Sequence, residues 1–340
     1  MSRRLSWGIL STGRIAGVFA RGLAGSRTGR LVAVGSRTLA SAQAFAAEHG
    51  GRAHSDYEAL IADPEVEAVY LATPHPLHER WALKAIAAGK HVLCEKPLTL
   101  DFVSARRVVE AARARNVLLM EGFMYRCHPQ TARVMELIRA GAIGRVGLVQ
   151  AAFGFNMPFD AGRRFWSNTL GGGGILDVGG YPVSWARLVA GAVDGLPFLD
   201  PVKIEGAGVL HPQTGVDAYA AALLTFSNGV IAQVSCGVGL AQDNVVRIYG
   251  SEGWLLVPSP YVINRDLSPT RILLHRGAAK PEELIVTPDR LLYAYEADAF
   301  ADALAAGLRD APAMACADTL GNMAVLDTWL RQAGVVYKDS

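Results

Sequence analysis

An acid, a base and a proline follow directly on a short apolar stretch, as Glu95-Lys96-Pro97 after Val92-Leu93-Cys94. The proline restricts Lys96 to extended backbone angles and cannot donate a ladder hydrogen bond, so a strand through this stretch ends at the lysine. An ammonium group at a strand end can stabilise negative charge that develops on a bound molecule. A solvated lysine without a chemical role fits these three residues equally well.

A carboxylate and a phenol stand four residues apart in the second half of the chain. Asp177 and Tyr181 follow the four glycines Gly171 to Gly174, and glycines let a backbone pass close to a ligand. A helix starting near Ile175 places both side chains on one face. The pair could grip a substrate and relay a proton, although a core tyrosine and an aspartate near a helix start would give the same pattern.

The first apolar run, Leu5 to Leu10, leads into a turn made of Ser11-Thr12-Gly13-Arg14-Ile15. Amides at the start of the following helix can bind a diphosphate, and Gly13 has no side chain to keep that group away. The usual spacing is Gly-x-Gly-x-x-Gly/Ala, and Ser11 replaces its first glycine. A serine fits this turn if its φ stays negative, and its hydroxyl could add a donor.

The second apolar run, Leu31 to Gly35, ends in Ser36-Arg37-Thr38. A carboxylate at this position would bind the ribose 2′-hydroxyl of NAD, whereas two hydroxyls and a guanidinium suit a 2′-phosphate. The sequence therefore favours NADP over NAD, with a solvated loop arginine as the alternative interpretation of Arg37. Thr38 is also predicted to cap the helix that follows.

These groups can meet only if a sheet brings several strand ends together. Apolar runs alternate with helical runs up to about residue 122, which predicts a doubly wound parallel Rossmann sheet with Lys96 at the end of its fifth strand. From Val146 onward the segments are mostly strand-like and are joined by short turns such as Ser227-Asn228-Gly229.

We therefore expect an α/β protein with a second, α+β domain built on a large open, mostly antiparallel sheet. The expected boundaries are residues 1–122 for the dinucleotide-binding domain and 123–310 for the substrate-binding and oligomerisation domain. Residues 311–340 are expected to contribute a helix that packs back on the first domain.

Two histidines lie in the loop after the fourth predicted strand, Thr73-Pro74-His75-Pro76-Leu77-His78. His75 and His78 are three residues apart, but no third ligand at a suitable spacing supports a metal site. The two prolines fix an extended loop. We expect this loop, including Thr73 and Pro74, to cover the ribose and diphosphate of the cofactor.

Composition narrows the classes of partner. The 340 residues carry a formal net charge of +2 without a block of five like charges, which argues against nucleic-acid or membrane-surface binding. No apolar run is long enough to cross a membrane, and the run near the amino terminus is too short for a signal peptide. Four scattered cysteines without a Cys-x-x-Cys pair argue against disulfides and zinc, so we expect a cytoplasmic protein.

Taken together, these motifs resemble the Gfo/Idh/MocA oxidoreductases, named for glucose-fructose oxidoreductase, inositol dehydrogenase and a rhizopine catabolism protein. Four motifs carry the resemblance in the family's order: Ser11-Thr12-Gly13-Arg14-Ile15-Ala16, Ala72-Thr73-Pro74, Glu95-Lys96-Pro97 and Gly171 to Tyr181. The stretch Glu121 to Gln130 looks most like the branch that contains dimeric dihydrodiol dehydrogenase and NADP-dependent D-xylose dehydrogenase.

The resemblance implies hydride transfer between NAD(P) and a carbon that carries a hydroxyl, on a sugar, cyclitol or dihydrodiol. It implies that Glu95 and Lys96 contact the cofactor, that Asp177 is catalytic, and that Arg164 contacts cofactor or substrate. The residue four positions after that aspartate is usually His in the family, and Tyr181 here matches the dihydrodiol and xylose branch. The open sheet often forms the subunit interface, so we expect a homodimer or homotetramer.

We expect Tyr181 to act as acid and base, Lys96 to stabilise the developing alkoxide and Asp177 to orient the substrate and Lys96. A lysine within about 4–6 Å lowers an acidic pKa by about 1–3 units, which would bring the phenol toward the working range. Four aromatic residues could line the substrate wall, with ordinary core residues as the alternative interpretation: Phe155, Trp166, Tyr293 and Tyr295. A regulatory protein that binds NADP without chemistry is the alternative, since the fold permits it.

Overall fold

The computed structural model describes residues 4–263 and 266–338. Its first half is a six-stranded parallel sheet in the order β3-β2-β1-β4-β5-β6, the order of a doubly wound dinucleotide-binding fold. The strands are β1 (Leu5–Leu10), β2 (Gly29–Gly35), β3 (Arg52–His54), β4 (Ala68–Leu71), β5 (His91–Glu95) and β6 (Leu119–Gly122). Since helices cover both faces, the central strands are buried along their whole length.

Five helices connect these strands. They are α1 (Arg14–Ala24), α2 (Leu39–His49), α3 (Tyr57–Ala62), α4 (His78–Ala87) and α5 (Phe102–Ala114). Side-chain oxygens cap three of them, since Thr38, Asp56 and Asp101 each accept a hydrogen bond from the amide three residues later. The capping role expected for Thr38 is thus present.

The second half is an eight-stranded sheet in the order β14-β13-β12-β11-β7-β10-β9-β8. All neighbouring strands are antiparallel except β7 and β10, which are parallel. The strands are β7 (Val146–Gly154), β8 (Lys203–Leu210), β9 (Asp217–Thr225), β10 (Ile231–Gly237), β11 (Val246–Gly250), β12 (Gly253–Val257), β13 (Thr270–His275) and β14 (Glu282–Val286).

In the part of the chain that the structure describes, four further helices lie outside the first sheet: α6 (Pro129–Arg139), α7 (Gly180–Val193), α8 (Leu292–Ala305) and α9 (Cys316–Ala333). The long helix α7 is buried along almost its whole length and packs on β7 and β10. Helix α8 packs on α1, and α9 packs on both α5 and β8, where Asp327 accepts a hydrogen bond from the Phe102 amide. The two sheets are therefore joined by helices from the second half of the chain.

The expected fold class is confirmed, with two differences in detail. The edge strand β14 was not expected, because it begins with the acidic pair Glu282-Glu283 and is only half-buried. The helix expected near Ile175 begins as a π-helical turn, Ile175–Gly179, before continuing as α7. Within the described residues, no helix has the length and apolar composition needed to span a membrane.

Candidate active site

A cleft of about 1010 Å³ lies at the carboxyl ends of the parallel strands, where the two halves of the chain meet. Eighteen residues expected from the sequence line it: Ser11, Thr12, Gly13, Arg14, Ile15, Ser36, Arg37, Thr38, Thr73, Pro74, His75, His78, Glu95, Lys96, Phe155, Arg164, Asp177 and Tyr181. Tyr293 lines it as well. One open groove thus joins the glycine turn to the lysine and the tyrosine.

The turn after β1 differs from the expected one in its backbone. Ser11 has a φ of 117°, a conformation that favours glycine, so the condition that its φ stays negative is wrong. Its amide donates to the Gly35 carbonyl, and its Oγ accepts a hydrogen bond from the Gly13 amide at 3.1 Å. The hydroxyl acts here as an acceptor that steadies the turn.

The far end of the cleft is built by the residues after β2. The hydroxyls of Thr12 and Ser36 lie 3.2 Å apart, which ties the first turn to the second. Arg37 is exposed on the cleft wall, and Ser41 and Tyr57 line the wall beside it. Ser41 and Tyr57 were not expected. Ser41 lies in the first turn of α2, and Tyr57 is the first residue of α3.

His78 is fully buried between two loops of the first half. Its two ring nitrogens each lie 2.8 Å from a main-chain oxygen, that of Thr73 and that of Pro97. Burial lowers the pKa of His78, and the two carbonyl groups oppose that shift. This side chain connects the loop after β4 to the peptide that follows Lys96.

His75 lies beside it but contacts the opposite half of the chain. Burial, followed by the Arg164 and Lys96 cations, lowers the pKa of His75 well below its ordinary value, so the ring is neutral. Its Nδ1 lies 3.2 Å from the Gly171 carbonyl oxygen and its Nε2 lies 3.2 Å from Arg164 Nη1. The neutral ring therefore donates from Nδ1 and accepts at Nε2. No group of three metal-ligating side chains occurs among residues 4–263 and 266–338.

Lys96 reaches from β5 to the π-helical turn. Its Nζ donates to the main-chain oxygen of Asp177 at 2.5 Å and lies 3.7 Å from Asp177 Oδ1. The same nitrogen lies 5.4 Å from the centre of the Tyr181 ring. The lysine, the aspartate and the tyrosine therefore converge in the cleft, although they come from the two different halves of the molecule.

A second cation holds the Asp177 carboxylate. Arg164 Nη2 donates to Asp177 Oδ1 at 2.8 Å, while its Nη1 contacts His75. Burial by itself would raise the pKa of Asp177, but the Lys96 and Arg164 cations outweigh it and bring that pKa down to about 2. Asp177 is therefore ionised throughout the range in which proteins normally work.

Tyr181 differs from the expectation in its protonation. Burial, followed by the Glu95 and Asp177 carboxylates, raises the pKa of Tyr181 well above 10. Lys96 does not reverse this, because its nitrogen lies near the ring centre and is paired with Asp177. The expected lowering of the Tyr181 pKa is wrong for this state, in which the phenol keeps its proton and donates toward Met124 Sδ at 3.5 Å.

Two buried acids, Glu95 on the cleft wall and Glu296 close to it, interact with each other. Glu95 accepts a hydrogen bond from the Tyr70 hydroxyl, and burial raises its pKa. Both carboxyl oxygens of Glu296 are buried, with no hydrogen-bond partner within the described ranges, and burial together with Glu95 raises the pKa of Glu296 well above its ordinary value. Glu296 was missed because nothing in its sequence neighbourhood distinguishes it from a solvated helix residue.

The substrate end of the cleft has apolar walls. Phe155 lines it as expected, and Met124, Phe153, Phe165 and Val262 join it. Phe153 could have been found from the sequence, because residues two apart on a strand share one face.

Two expected aromatic residues lie outside the cleft. Trp166 is buried against Val216 and Val238 and donates to the Pro158 carbonyl. Tyr295 is on α8, where its hydroxyl contacts Asp289. The structure thus removes both from the substrate wall, because aromatic character alone does not give the direction of a side chain.

Comparison with known proteins agrees with this architecture. The family described as "Oxidoreductase family, NAD-binding Rossmann fold" matches residues 5–123, and the GFO/IDH/MocA C-terminal domain matches residues 131–256. Trans-1,2-dihydrobenzene-1,2-diol dehydrogenase of Xenopus laevis is 33% identical over 340 residues, with 97% of this chain and 98% of the relative covered. The Danio rerio enzyme of the same name is 34% identical, with 98% of each chain covered.

Solved structures give the same result. KijD10, a 3-ketoreductase from Actinomadura kijaniata in complex with NADP and TDP-benzene, superposes with a TM-score of 0.85 at 30% identity, covering 97% of this chain and 98% of that one. An aldose-aldose oxidoreductase from Caulobacter crescentus has a TM-score of 0.85 at 24% identity over 98% of both chains, which shows a shared fold. With both domains matched in order and full-length relatives above 30% identity, the chain belongs to the Gfo/Idh/MocA oxidoreductase family.

Proposed function

We propose that this protein is an NADP(H)-dependent oxidoreductase acting on a secondary or anomeric hydroxyl or carbonyl group of a sugar, sugar derivative, cyclitol or trans-dihydrodiol. The observation that carries the proposal is the convergence of Lys96, Asp177 and Tyr181 in one cleft. Relatives named as dihydrodiol dehydrogenases and a ketoreductase solved with NADP support this reaction class.

The other end of the cleft fits a phosphorylated dinucleotide. Helix α1 begins after Gly13, whose missing Cβ would meet only Ser11 Oγ within 4 Å, and no side chain caps its first amides. These amides suit the diphosphate. Ser36, Arg37 and Thr38 suit a 2′-phosphate, because they offer donors and no carboxylate. When bound, NADP supplies or accepts the hydride.

Lys96 and Asp177 hold a substrate oxygen in place. The ammonium has three N–H donors and uses one on the Asp177 carbonyl, which leaves donors for an alkoxide or carbonyl oxygen. Because Lys96 and Asp177 are largely buried, their charges are screened less than surface charges would be. We assign Lys96 the stabilisation of negative charge on that oxygen and Asp177 the orientation of Lys96 and substrate.

Tyr181 donates the proton in one direction of the reaction and accepts it in the other. Since its pKa is raised, the phenol is protonated and can give its proton to an oxygen that becomes an alkoxide. In the oxidation direction the phenol must first lose that proton, so oxidation requires higher pH than reduction. We therefore assign Tyr181 as acid and base, with reduction as the direction favoured near neutral pH.

The walls of the substrate end suit a ring-shaped substrate. Met124, Phe153, Phe155, Phe165 and Val262 offer apolar surfaces on which a sugar or a carbocycle can stack. The polar groups are concentrated on one side, around the lysine. A substrate ring can stack on the apolar walls while its reacting carbon and a neighbouring hydroxyl face the polar groups around Lys96.

A spectrophotometric panel tests the proposal. Purified protein is mixed with NADP or NAD and with aldoses, anhydrosugars, inositols and trans-dihydrodiols, and with their carbonyl forms and NADPH. The expected result is a change of the reduced-cofactor absorbance with at least one ring alcohol or ketone, larger with NADP(H). Tight NADPH binding with no absorbance change across the panel would instead favour the regulatory protein, whose function needs no cation or proton donor beside the nicotinamide.

We further propose that the open face of the second sheet pairs two copies of the chain. Helix α7 covers one face, while the other carries a shallow groove lined by small residues such as Ala207 and Ala221. Exposed apolar residues on adjoining strands include Val209, Tyr219 and Ile231. The expected assembly is a homodimer or homotetramer. Light scattering should show a dimer or larger for the wild type and a smaller species for Ala221→Arg, and a wild-type monomer would contradict it.

We also place the protein in the cytoplasm. All four cysteines are free in the structure, and three of them, Cys94, Cys236 and Cys316, are buried. Free thiols persist most readily where the environment is reducing. Fractionation of the cells that make this protein should recover it with cytoplasmic markers, and recovery in an oxidising compartment would refute the assignment.

A further inference from the structure

The four-glycine turn that precedes Asp177 is held entirely by its neighbours. A Cβ at Gly172 would lie 2.7 Å from two main-chain oxygens, and one at Gly173 would lie 2.2 Å from an oxygen of Asp217. No side chain fits, so the position of the turn depends on hydrogen bonds made by its peptide groups. Any group that binds these peptides therefore influences where Asp177 lies.

Besides His75, which donates to the Gly171 carbonyl, three separate parts of the chain supply those hydrogen bonds. The amides of Gly172 and Gly173 donate to the carbonyls of Ser167 and Phe165, both at 2.9 Å. The Ile175 amide donates to Asp217 Oδ2 at 2.7 Å. The third part is the segment 335–338, which follows α9 and which we name the strap.

The strap reaches the turn through Tyr337. Its hydroxyl donates to the Gly172 carbonyl at 2.7 Å, one residue before Gly173, and the Gly173 carbonyl accepts the Asp177 amide at 3.2 Å. The Tyr337 side chain is half-buried and packs against Trp166 and its neighbours. Only two hydrogen bonds and the main chain of one residue, Gly173, thus separate the Tyr337 hydroxyl from the Asp177 amide.

The strap is itself fixed to the loop before the turn. The side-chain amide of Asn168 donates to the Val336 carbonyl at 2.9 Å and its oxygen accepts the Lys338 amide at 2.8 Å, as a neighbouring strand would. Val335 is buried and Val336 is 76% exposed, the alternation of an extended segment. After α9 the chain turns toward the site at Gly334, which has a φ of 77°.

We propose that Tyr337 is a positioning residue for the reaction, acting through the Gly172–Gly173 peptide to set Asp177, with Asn168 holding the strap in place. The inference rests on the proposed function, in which Asp177 orients substrate and Lys96. Asp177 is held by Lys96 and Arg164 as well, so loss of the strap contact displaces the carboxylate without removing it. The expected consequence is weaker substrate binding with cofactor binding retained.

Two measurements on Tyr337→Phe test this. Hydrogen exchange followed by mass spectrometry should show faster exchange in the peptides that cover residues 168–177. Steady-state kinetics should show a substrate KM raised about tenfold, the upper range for one neutral hydrogen bond, with the Kd for NADPH changed less than about twofold. Tyr295→Phe is the matched control, because it removes a tyrosine hydroxyl bond outside the cleft and should change neither quantity.

Each outcome decides the proposal. Exchange and KM both at wild-type values would overturn it, and faster exchange with an unchanged KM would show that the strap steadies the turn without positioning the reaction. If Tyr337→Phe does not fold, Asn168→Ala releases the strap by a different contact and is expected to give the same two changes. A wild-type protein with no turnover would refute the proposed function alone, since the exchange measurement still reports whether Tyr337 fixes the turn.

Discussion

The ammonium nitrogen of Lys96 lies 2.5 Å from the main-chain oxygen of Asp177, a residue 81 positions further along the chain. The contact joins the end of a Rossmann strand to a π-helical turn of the second half. π-helical turns widen the backbone and occur often at functional sites. Because Arg164 binds the same carboxylate oxygen that Lys96 approaches, two cations hold the Asp177 carboxylate, and several measurable consequences follow from this arrangement.

Acid should weaken the folded state through Asp177. Its folded pKa of about 2 lies below the ordinary value of 3.8, so its stabilising contribution is complete above about pH 5 and is lost as the pH falls toward and below 2. The loss should be on the order of 2 kcal/mol in the free energy of unfolding. Other carboxylates with a lowered pKa, such as Asp63 and Asp298, also weaken the fold in acid. In urea unfolding at pH 7, 4 and 2.5, the wild type and the exposed-site control Asp302→Asn should therefore lose more free energy of unfolding than Asp177→Asn, by about this amount. An equal loss in Asp177→Asn would contradict the assignment.

Catalysis should depend on pH in opposite ways for the two directions. Because the pKa of Tyr181 is raised well above 10, the phenol stays protonated, so the rate of reduction should be level from about pH 6 to 9. The rate of oxidation should rise about tenfold per pH unit over the same range, as the small phenolate fraction grows. Tyr181→Phe should lower both rates by roughly 10²-fold and abolish the slope. An oxidation profile that levels off near neutral pH would show that another group takes the proton.

Cofactor preference should depend on Arg37. Arg37→Asp replaces a donor by a carboxylate that repels a 2′-phosphate, so the Kd for NADPH should rise by about 10–100-fold while that for NADH changes little. Fluorescence titration of the reduced cofactors measures both constants. Arg139→Asp makes the same charge change at an exposed position outside the cleft and serves as the control. Equal losses in the two variants would mean that net charge, rather than a 2′-phosphate contact, sets the preference.

His78 should contribute to the stability of the folded state. His78→Ala leaves the buried carbonyls of Thr73 and Pro97 without their partner and creates a cavity, which should cost about 2–4 kcal/mol of unfolding free energy. His78→Gln keeps an amide that can reach one carbonyl and should lose about half as much. Chemical unfolding of the wild type and of both variants measures these losses of unfolding free energy. A His78→Ala variant as stable as the wild type would mean that the two loops are held by other contacts.

Much of the fold could be predicted because its elements carry local signals. Buried parallel strands are continuous apolar runs, which is why β1 was expected at Leu5 to Leu10, where it lies. Thr38 marks the start of α2 by its side-chain chemistry. The acidic edge strand β14 carries no such signal in its own residues. It forms a strand because it pairs with β13.

The site could be predicted in residue type but not in backbone angle or charge state. Lys96 and Asp177 were recognisable because strand ends and glycine turns are where ligands approach a backbone. The φ of Ser11 depends on its hydrogen bond to Gly35, a tertiary contact. The pKa of Tyr181 depends on burial and on carboxylates from other elements, which neighbouring residues do not reveal.

The central claim is that the Lys96 ammonium stabilises charge on the substrate oxygen, and Lys96→Met tests it most directly because the side chain keeps its approximate size and loses its charge. With the substrate found in the panel, kcat should fall by on the order of 10²-fold or more, while the Kd for NADPH stays within about twofold of the wild-type value. A Lys96→Met enzyme that keeps near-normal kcat would contradict the account.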